Sequence, residues 1–148
     1  MIGIGDSAPQ FELPDQSGNS VSLSELLEAG PLILYFYPAD FSPLCTLQAR
    51  AFQDVWEELT DSGIQIVAIS PQSVASHHRF AASNSLQFPL LFDPSKRVIR
   101  AYGVDGPFGI GVRRATFLVG TDGFIASRVL SDFLLDKHLQ LAKQLIES

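Results

Sequence analysis

A chain of 148 residues, 46% of them apolar and 18% charged, can bury a sizeable core without disulfides or metals and does not have the composition of a disordered segment. The net charge of −6 argues against a nucleic-acid partner, because phosphate binding needs basic patches, and the single cysteine excludes an internal disulfide. Residues 1–6 lack the basic start and long apolar run of a secretory signal, and no apolar stretch reaches membrane-span length. The expectation is one soluble cytoplasmic domain over residues 1–148.

The first predicted element is Leu32–Tyr37, a continuous apolar run between Pro31 and Pro38 that reads as a strand buried on both faces. A helix follows from Pro43 to Ser62, with Leu47, Ala51, Phe52, Val55 and Leu59 as its apolar stripe and Gly63 as its stop. Ile64–Ile69, rich in β-branched residues, predicts a second buried strand. A helix is predicted from an N-cap at Ser73 to Asn84. Phe88–Phe92 reads as a short strand and Ser95–Tyr102 as a short helix ended by Gly103, before an irregular glycine-rich stretch from Val104 to Gly111. Ala115–Val119 and Phe124–Leu130 flank Gly120-Thr121-Asp122-Gly123 and predict a hairpin. Leu134, Leu135, Leu139, Ala142, Leu145 and Ile146 mark a terminal amphipathic helix. This order describes an α/β fold of three layers, with a central mixed sheet flanked by helices and a parallel first strand–helix–strand unit. It is the order of the thioredoxin fold.

The lone thiol, Cys45, falls where the first strand gives way to the long helix. A helix start offers unpaired backbone N–H groups and the positive end of the dipole, both of which favour the nucleophilic thiolate. Pro38 ends the strand, and Ser42, three residues before the cysteine, has a hydroxyl within reach of the sulfur or of a bound oxygen. Pro43 suits the first helical turn, where its missing N–H costs nothing. The plainer reading is a cysteine packed as a small buried hydrophobe.

Pro38, Ser42 and Cys45 have the spacing of the P-x-x-x-T/S-x-x-C motif, and the stretch Phe36-Tyr37-Pro38 through Cys45-Thr46-Leu47-Gln48-Ala49 resembles the peroxiredoxins of the AhpC/TSA superfamily, in their bacterioferritin-comigratory-protein or PrxQ branch. Gly5-Asp6-Ser7-Ala8-Pro9, Val67-Ala68-Ile69-Ser70 and Arg114-Ala115-Thr116-Phe117 extend the likeness over nearly the whole chain. The resemblance implies a peroxidase that reduces hydrogen peroxide or alkyl hydroperoxides through a peroxidatic Cys45, without metal, haem or flavin. It implies that Arg114 favours the thiolate and the leaving oxygen, that Ser42 positions the peroxide, and that Pro38 shields the sulfur.

Two positions depart from the family pattern. Ser42 stands where threonine is commoner, and Arg50 stands where many relatives carry a resolving cysteine. With no second cysteine, an external thiol must complete the cycle, with thioredoxin, glutaredoxin and glutathione as candidates. Arg50 reads as solvent-facing or as a partner for an anionic sulfenate. A monomer or weak homodimer is expected. A thioredoxin-fold thiol reductase is weakened by the absence of Cys-x-x-Cys, and a redox sensor or chaperone forms the non-enzymatic alternative.

Strand alternation puts Arg113 and Arg114 on opposite faces; the family match selects Arg114 and leaves Arg113 to solvent. Gln48, three residues after the cysteine, reads as support behind it. Phe108 and Ile110 are expected to line an apolar approach, Phe41 to wall the pocket or join the core, and Trp56 to be core or interface. His77 and His78 do not share a helix face and His138 is remote, so no metal site is expected.

Overall fold

The computed structural model describes residues 1–147. In chain order it forms β1 (Glu12–Pro14), β2 (Ser20–Ser22), α1 (Leu23–Ala29), β3 (Leu32–Phe36), α2 (Pro43–Asp61), β4 (Gln65–Ser70), α3 (Val74–Asn84), β5 (Leu90–Phe92), α4 (Arg97–Ala101), β6 (Ala115–Val119), β7 (Ile125–Leu130) and α5 (Leu135–Glu147). A turn of tighter 3-10 helix lies at Pro107–Gly109.

β3 is buried at every position because both of its edges are paired and both of its faces are covered. The sheet runs β5-β4-β3-β6-β7, with β3, β4 and β5 mutually parallel and the β6–β7 hairpin antiparallel to β3. Side chains alternate across the sheet. Leu32, Leu34 and Phe36 pack with Leu23 of α1 and Ile99 of α4, while Ile33, Tyr35 and Tyr37 pack with Phe52 of α2, Phe80 of α3 and Ala142 of α5. These are the three layers and mixed sheet expected of a thioredoxin-type α/β fold.

The register of this sheet builds the site. Phe36 at the end of β3 lies opposite Ala115 at the start of β6, so Arg114 is level with the residues that leave β3 for α2. Tyr37 extends the pairing by one more bond, its N–H donating to the Ile69 carbonyl at 3.2 Å. The chain then turns through Pro38–Ser42 into α2, where Ser42 is the N-cap and Pro43 opens the helix.

Several expectations are corrected by packing. The buried face of α2 is Cys45, Gln48, Ala49, Phe52 and Leu59; Leu47 is 57% exposed and lines a depression between α2 and α5 with Leu135 and Leu139. Burying a side chain such as Phe52 contributes about 1.5–3 kcal/mol, which sets the orientation of the helix. In α5 the buried residues are His138, Leu141 and Ala142, and Leu134 lies outside the helix, largely exposed. β5 and α4 are shorter than predicted, since Pro89 precedes β5 and Lys96 takes a left-handed conformation before α4.

The β1–β2 hairpin and α1 had no counterpart among the predicted elements. Their local signals are present: the Asp15 carboxylate accepts from the N–H groups of Ser17 and Asn19 at 2.8 and 3.0 Å, and Ser22 Oγ caps α1, accepting from Glu25 N–H at 3.3 Å and donating to Glu25 Oε1 at 3.0 Å. The expected stops and caps elsewhere do form. Gly63 takes φ +78° beyond α2, and Ser73 Oγ accepts from Ser76 N–H at the start of α3.

Candidate active site

Cys45 is the third residue of α2 and is only 1% exposed, between the helix and the inner face of the sheet. Arg114, 69 residues away in sequence, donates from Nη2 to its sulfur at 3.3 Å. The guanidinium is fixed at two further points: Nη1 donates to Gln48 Oε1 at 2.5 Å and Nε to the Asp132 carbonyl at 3.3 Å. Gln48 thus supports the arginine, and through it the cysteine, from the same helix face. Its own Nε2 is buried without a hydrogen-bond partner among the described residues.

Arg114 is 3% exposed, yet among the described residues no carboxylate forms an ion pair with it. Asp132 meets it at two points: its Oδ1 accepts the Arg114 backbone N–H at 3.0 Å, and its main-chain carbonyl accepts from Arg114 Nε. The Asp132 carboxylate itself pairs with Arg113 at 2.8 Å. Burial pushes the Asp132 carboxyl up, but bonds from the Arg113 side chain and the Arg114 backbone outweigh that and hold it below its usual value. Asp132 therefore orients both arginines and forms its ion pair with the outer one. The positive charge of Arg114 is left facing the sulfur and whatever binds beside it.

Tyr35 stacks on Phe52 at 4.8 Å on this face of the sheet. Burial above all pushes its hydroxyl well above the usual tyrosine value, with the neighbouring Cys45 adding to the shift and Arg114 opposing it. Tyr35 is thus a neutral wall of the site.

Pro38, Ser42, Pro43, Leu44, Arg114, Asp132 and Phe133 line a surface depression. The four site residues read from the sequence, Pro38, Ser42, Cys45 and Arg114, are therefore brought together. The Ser42 hydroxyl, however, donates to the Ala39 carbonyl at 3.1 Å, where the sequence had left it free to reach the sulfur. Its lone pairs stay available to a bound hydroxyl group.

Other candidates fall elsewhere. Phe108 is fully exposed on the 3-10 turn, and neither it nor Ile110 is among the walls of this depression. The apolar wall is Phe133 instead, 78% exposed between β7 and α5. Phe41 is half exposed and meets Phe80 edge-on at 5.3 Å, also outside those walls. Arg50 is exposed and donates to Asn84 Oδ1 of α3 at 2.8 Å, which makes it a tether between helices. Trp56 is half-buried against the core on the α2 side. His78 is exposed, whereas His77 and His138 are fully buried and hydrogen-bonded.

Sequence reasoning weighed His77 only as a metal ligand and did not foresee its pairing with Asp40. Asp40, between Pro38 and Ser42, is buried and accepts from Tyr37 Oη at 2.6 Å, Ser76 Oγ at 2.7 Å and His77 Nδ1 at 2.7 Å. The available signal was the spacing of His77 with Phe80 and Ala81, which puts the histidine on the buried face of α3.

The chain has relatives among known proteins. The AhpC/TSA family model matches residues 4–128. Chloroplastic peroxiredoxin Q of Sedum lineare is 37% identical over 145 residues, covering 97% of this chain and 77% of that one. Peroxidoxin BcpB of Mycobacterium tuberculosis superposes with a TM-score of 0.92 at 35% identity, covering 99% and 97% of the two chains. The bacterioferritin comigratory protein of Xanthomonas campestris, whose structure bears on its alkyl peroxide reduction activity, superposes at 0.84 with 26% identity over 93% of this chain and 90% of that one. The chain belongs to the AhpC/TSA family, as a peroxiredoxin of the Q/bcp kind. It is a thiol-dependent peroxidase with one cysteine.

Proposed function

We propose that Cys45 is the thiol that reacts with peroxide, with Arg114, Ser42 and Pro38 as its immediate setting. The observation that carries this reading is the 3.3 Å contact from Arg114 Nη2 to the sulfur, made by a buried guanidinium that no carboxylate among the described residues pairs with. A thiolate at Cys45 attacks the terminal oxygen of the hydroperoxide along the O–O axis. The S–O bond forms as the O–O bond breaks, sulfur is oxidised by two electrons, and the departing oxide takes up a proton to leave as water or an alcohol. Negative charge moves from sulfur to the leaving oxygen during this step, and Arg114 is placed to follow it at little reorganisation cost. Ser42 Oγ accepts from the peroxide hydroxyl through its lone pairs, and Pro38 keeps bulk water from the sulfenic acid.

The substrates are hydrogen peroxide and alkyl hydroperoxides, the latter supported by the apolar rim of Pro38, Leu44 and Phe133. Resolution falls to an external thiol because the chain has a single cysteine. The donor thiol condenses with the sulfenic acid, releasing water and forming a mixed disulfide; a second thiol then frees Cys45. Thioredoxin, glutaredoxin or glutathione can act as donor, and a reducing compartment such as the cytoplasm supplies it. No helix among the described residues is long and apolar enough to cross a membrane. The working unit is a monomer or weak homodimer of residues 1–148.

Mass spectrometry of Cys45 after one equivalent of peroxide, with and without glutathione, tests the reading. The expected result is a sulfenic acid that glutathione converts to a mixed disulfide, with peroxide consumption abolished in Cys45→Ser. An unmodified thiol overturns it.

A further inference from the structure

Asp40 and His77 form a fully buried pair, 2.7 Å apart, between the β3–α2 loop and α3. The second ring nitrogen of His77, Nε2, lies 3.1 Å from the Leu91 carbonyl of β5, which can only accept. Nε2 therefore carries a hydrogen, and the short Nδ1–Oδ2 contact holds another. Burial raises the Asp40 carboxyl, but hydrogen bonds from His77, Tyr37 and Ser76 outweigh it and hold it below its usual value. The pair ties the loop, through α3, to the edge strand of the sheet.

The segment it holds is under backbone strain. Phe41, next to Asp40, takes φ +65°, a left-handed conformation that a bulky residue keeps only when its surroundings over-determine it. Those surroundings are the Asp40 anchors on one side and the edge-on contact with Phe80 on the other. Pro38 and Ser42, which line the depression containing Arg114, are the two ends of this loop. The two halves of the reaction place opposite demands on it. Peroxide attack needs the rim held in place, whereas an external thiol must reach a sulfur that is 1% exposed in this state.

We propose that His77 is a positioning residue for the peroxide-reducing step, acting through Asp40 to hold the Pro38–Ser42 loop closed beside Cys45. The inference rests on Cys45 being the peroxide-reacting thiol, as argued above. Holding the loop favours oxidation of the sulfur, and releasing it favours attack by the reducing thiol.

The test measures the two half-reactions separately by stopped flow: oxidation of Cys45 by hydrogen peroxide, and reduction of the preformed sulfenic acid by dithiothreitol. In His77→Gln, oxidation slows roughly tenfold, the scale expected of a reacting group displaced by part of an ångström, while reduction stays the same or accelerates. Ser76→Ala, which removes one neutral donor to Asp40 from a half-buried position, gives a smaller change in the same sense and decides the matter if His77→Gln does not fold. Any other pattern, including parallel loss of both rates or no change in either, overturns the inference. A wild-type protein that forms no sulfenic acid overturns the reading of Cys45 as well; a normal wild type with unaffected variants overturns this inference alone.

Discussion

Arg114 reaches the sulfur of Cys45 at 3.3 Å because the first residue of β6 is registered against the last residue of β3. Its forked guanidinium serves the sulfur and Gln48 at once. A lysine keeps the charge but cannot hold both directions. Arg114→Lys should lower kcat/KM for hydrogen peroxide by about 10²–10³, the cost typical of removing one preorganised donor to a developing anion. Steady-state peroxide consumption with dithiothreitol as donor measures it. Loss of less than about tenfold would remove the arginine from the centre of the mechanism.

Gln48 separates activity from stability. Replacing it with methionine leaves Arg114 Nη1 without its 2.5 Å acceptor, an omission that ordinarily costs about 1–3 kcal/mol in a buried setting. The same substitution removes the buried Nε2, which has no partner, and so offsets part of that cost. Gln48→Met should therefore unfold in urea close to the wild type while its rate of sulfenic acid formation falls by roughly an order of magnitude through loss of arginine alignment. A large loss of stability with an unchanged rate would contradict this.

Ser42 is tied to the Ala39 carbonyl through its hydroxyl hydrogen, and only its lone pairs face a substrate without rearrangement. Threonine keeps this bond and narrows the choice of rotamers. Ser42→Thr should match or exceed wild-type kcat/KM, and Ser42→Ala should lose roughly tenfold, since one positioned hydrogen bond is removed. The two variants are compared with hydrogen peroxide under identical donor conditions. A threonine variant without activity would show that the methyl group collides with the rim.

Much of this site was legible before any coordinates, for reasons that differ residue by residue. Cys45, Ser42 and Pro38 lie within one strand–helix junction, so their proximity follows from chain connectivity. Gln48 follows from helical spacing. Arg114 was selected by family resemblance, and the register of β6 against β3 gives the physical reason for its position. The pairing of Asp40 with His77 was missed because it requires α3 to pack against the β3–α2 loop, a tertiary event that leaves no local spacing rule. Phe108 was misplaced because apolarity alone does not say which loop overhangs a pocket; Phe133 occupies that role and Phe108 projects from the surface. In α2, helical periodicity identified an amphipathic segment but set its stripe too far toward Leu47, which lies at the open edge between α2 and α5. The sheet order was more secure, because β3 and β4 are apolar runs of strand length and the Gly120–Gly123 turn imposes antiparallel pairing on β6 and β7.

His138 provides a stability prediction with a defined direction. Its Nε2 lies 2.7 Å from the Ser131 carbonyl and must carry a hydrogen, while its Nδ1 accepts from the Thr116 hydroxyl at 2.7 Å, so the buried ring is neutral. Burial lowers its pKa most; the bond to Ser131 opposes the shift, Arg114 adds to it, and Asp132 opposes it again. The unfolded chain thus binds a proton at higher pH than the folded protein does, and stability rises with pH across the interval between the two values. The contribution is complete above the ordinary histidine value of about 6.5 and is lost as pH falls toward the depressed folded value. Asp40 and Asp132, whose carboxyls are held below their ordinary values, act in a separate and more acidic window, below about pH 4. Thermal melts between pH 7.5 and 4.5 should show Tm falling in the wild type and falling less steeply in His138→Gln, which cannot take up the proton. Parallel slopes in the two proteins would assign the acid sensitivity to other groups.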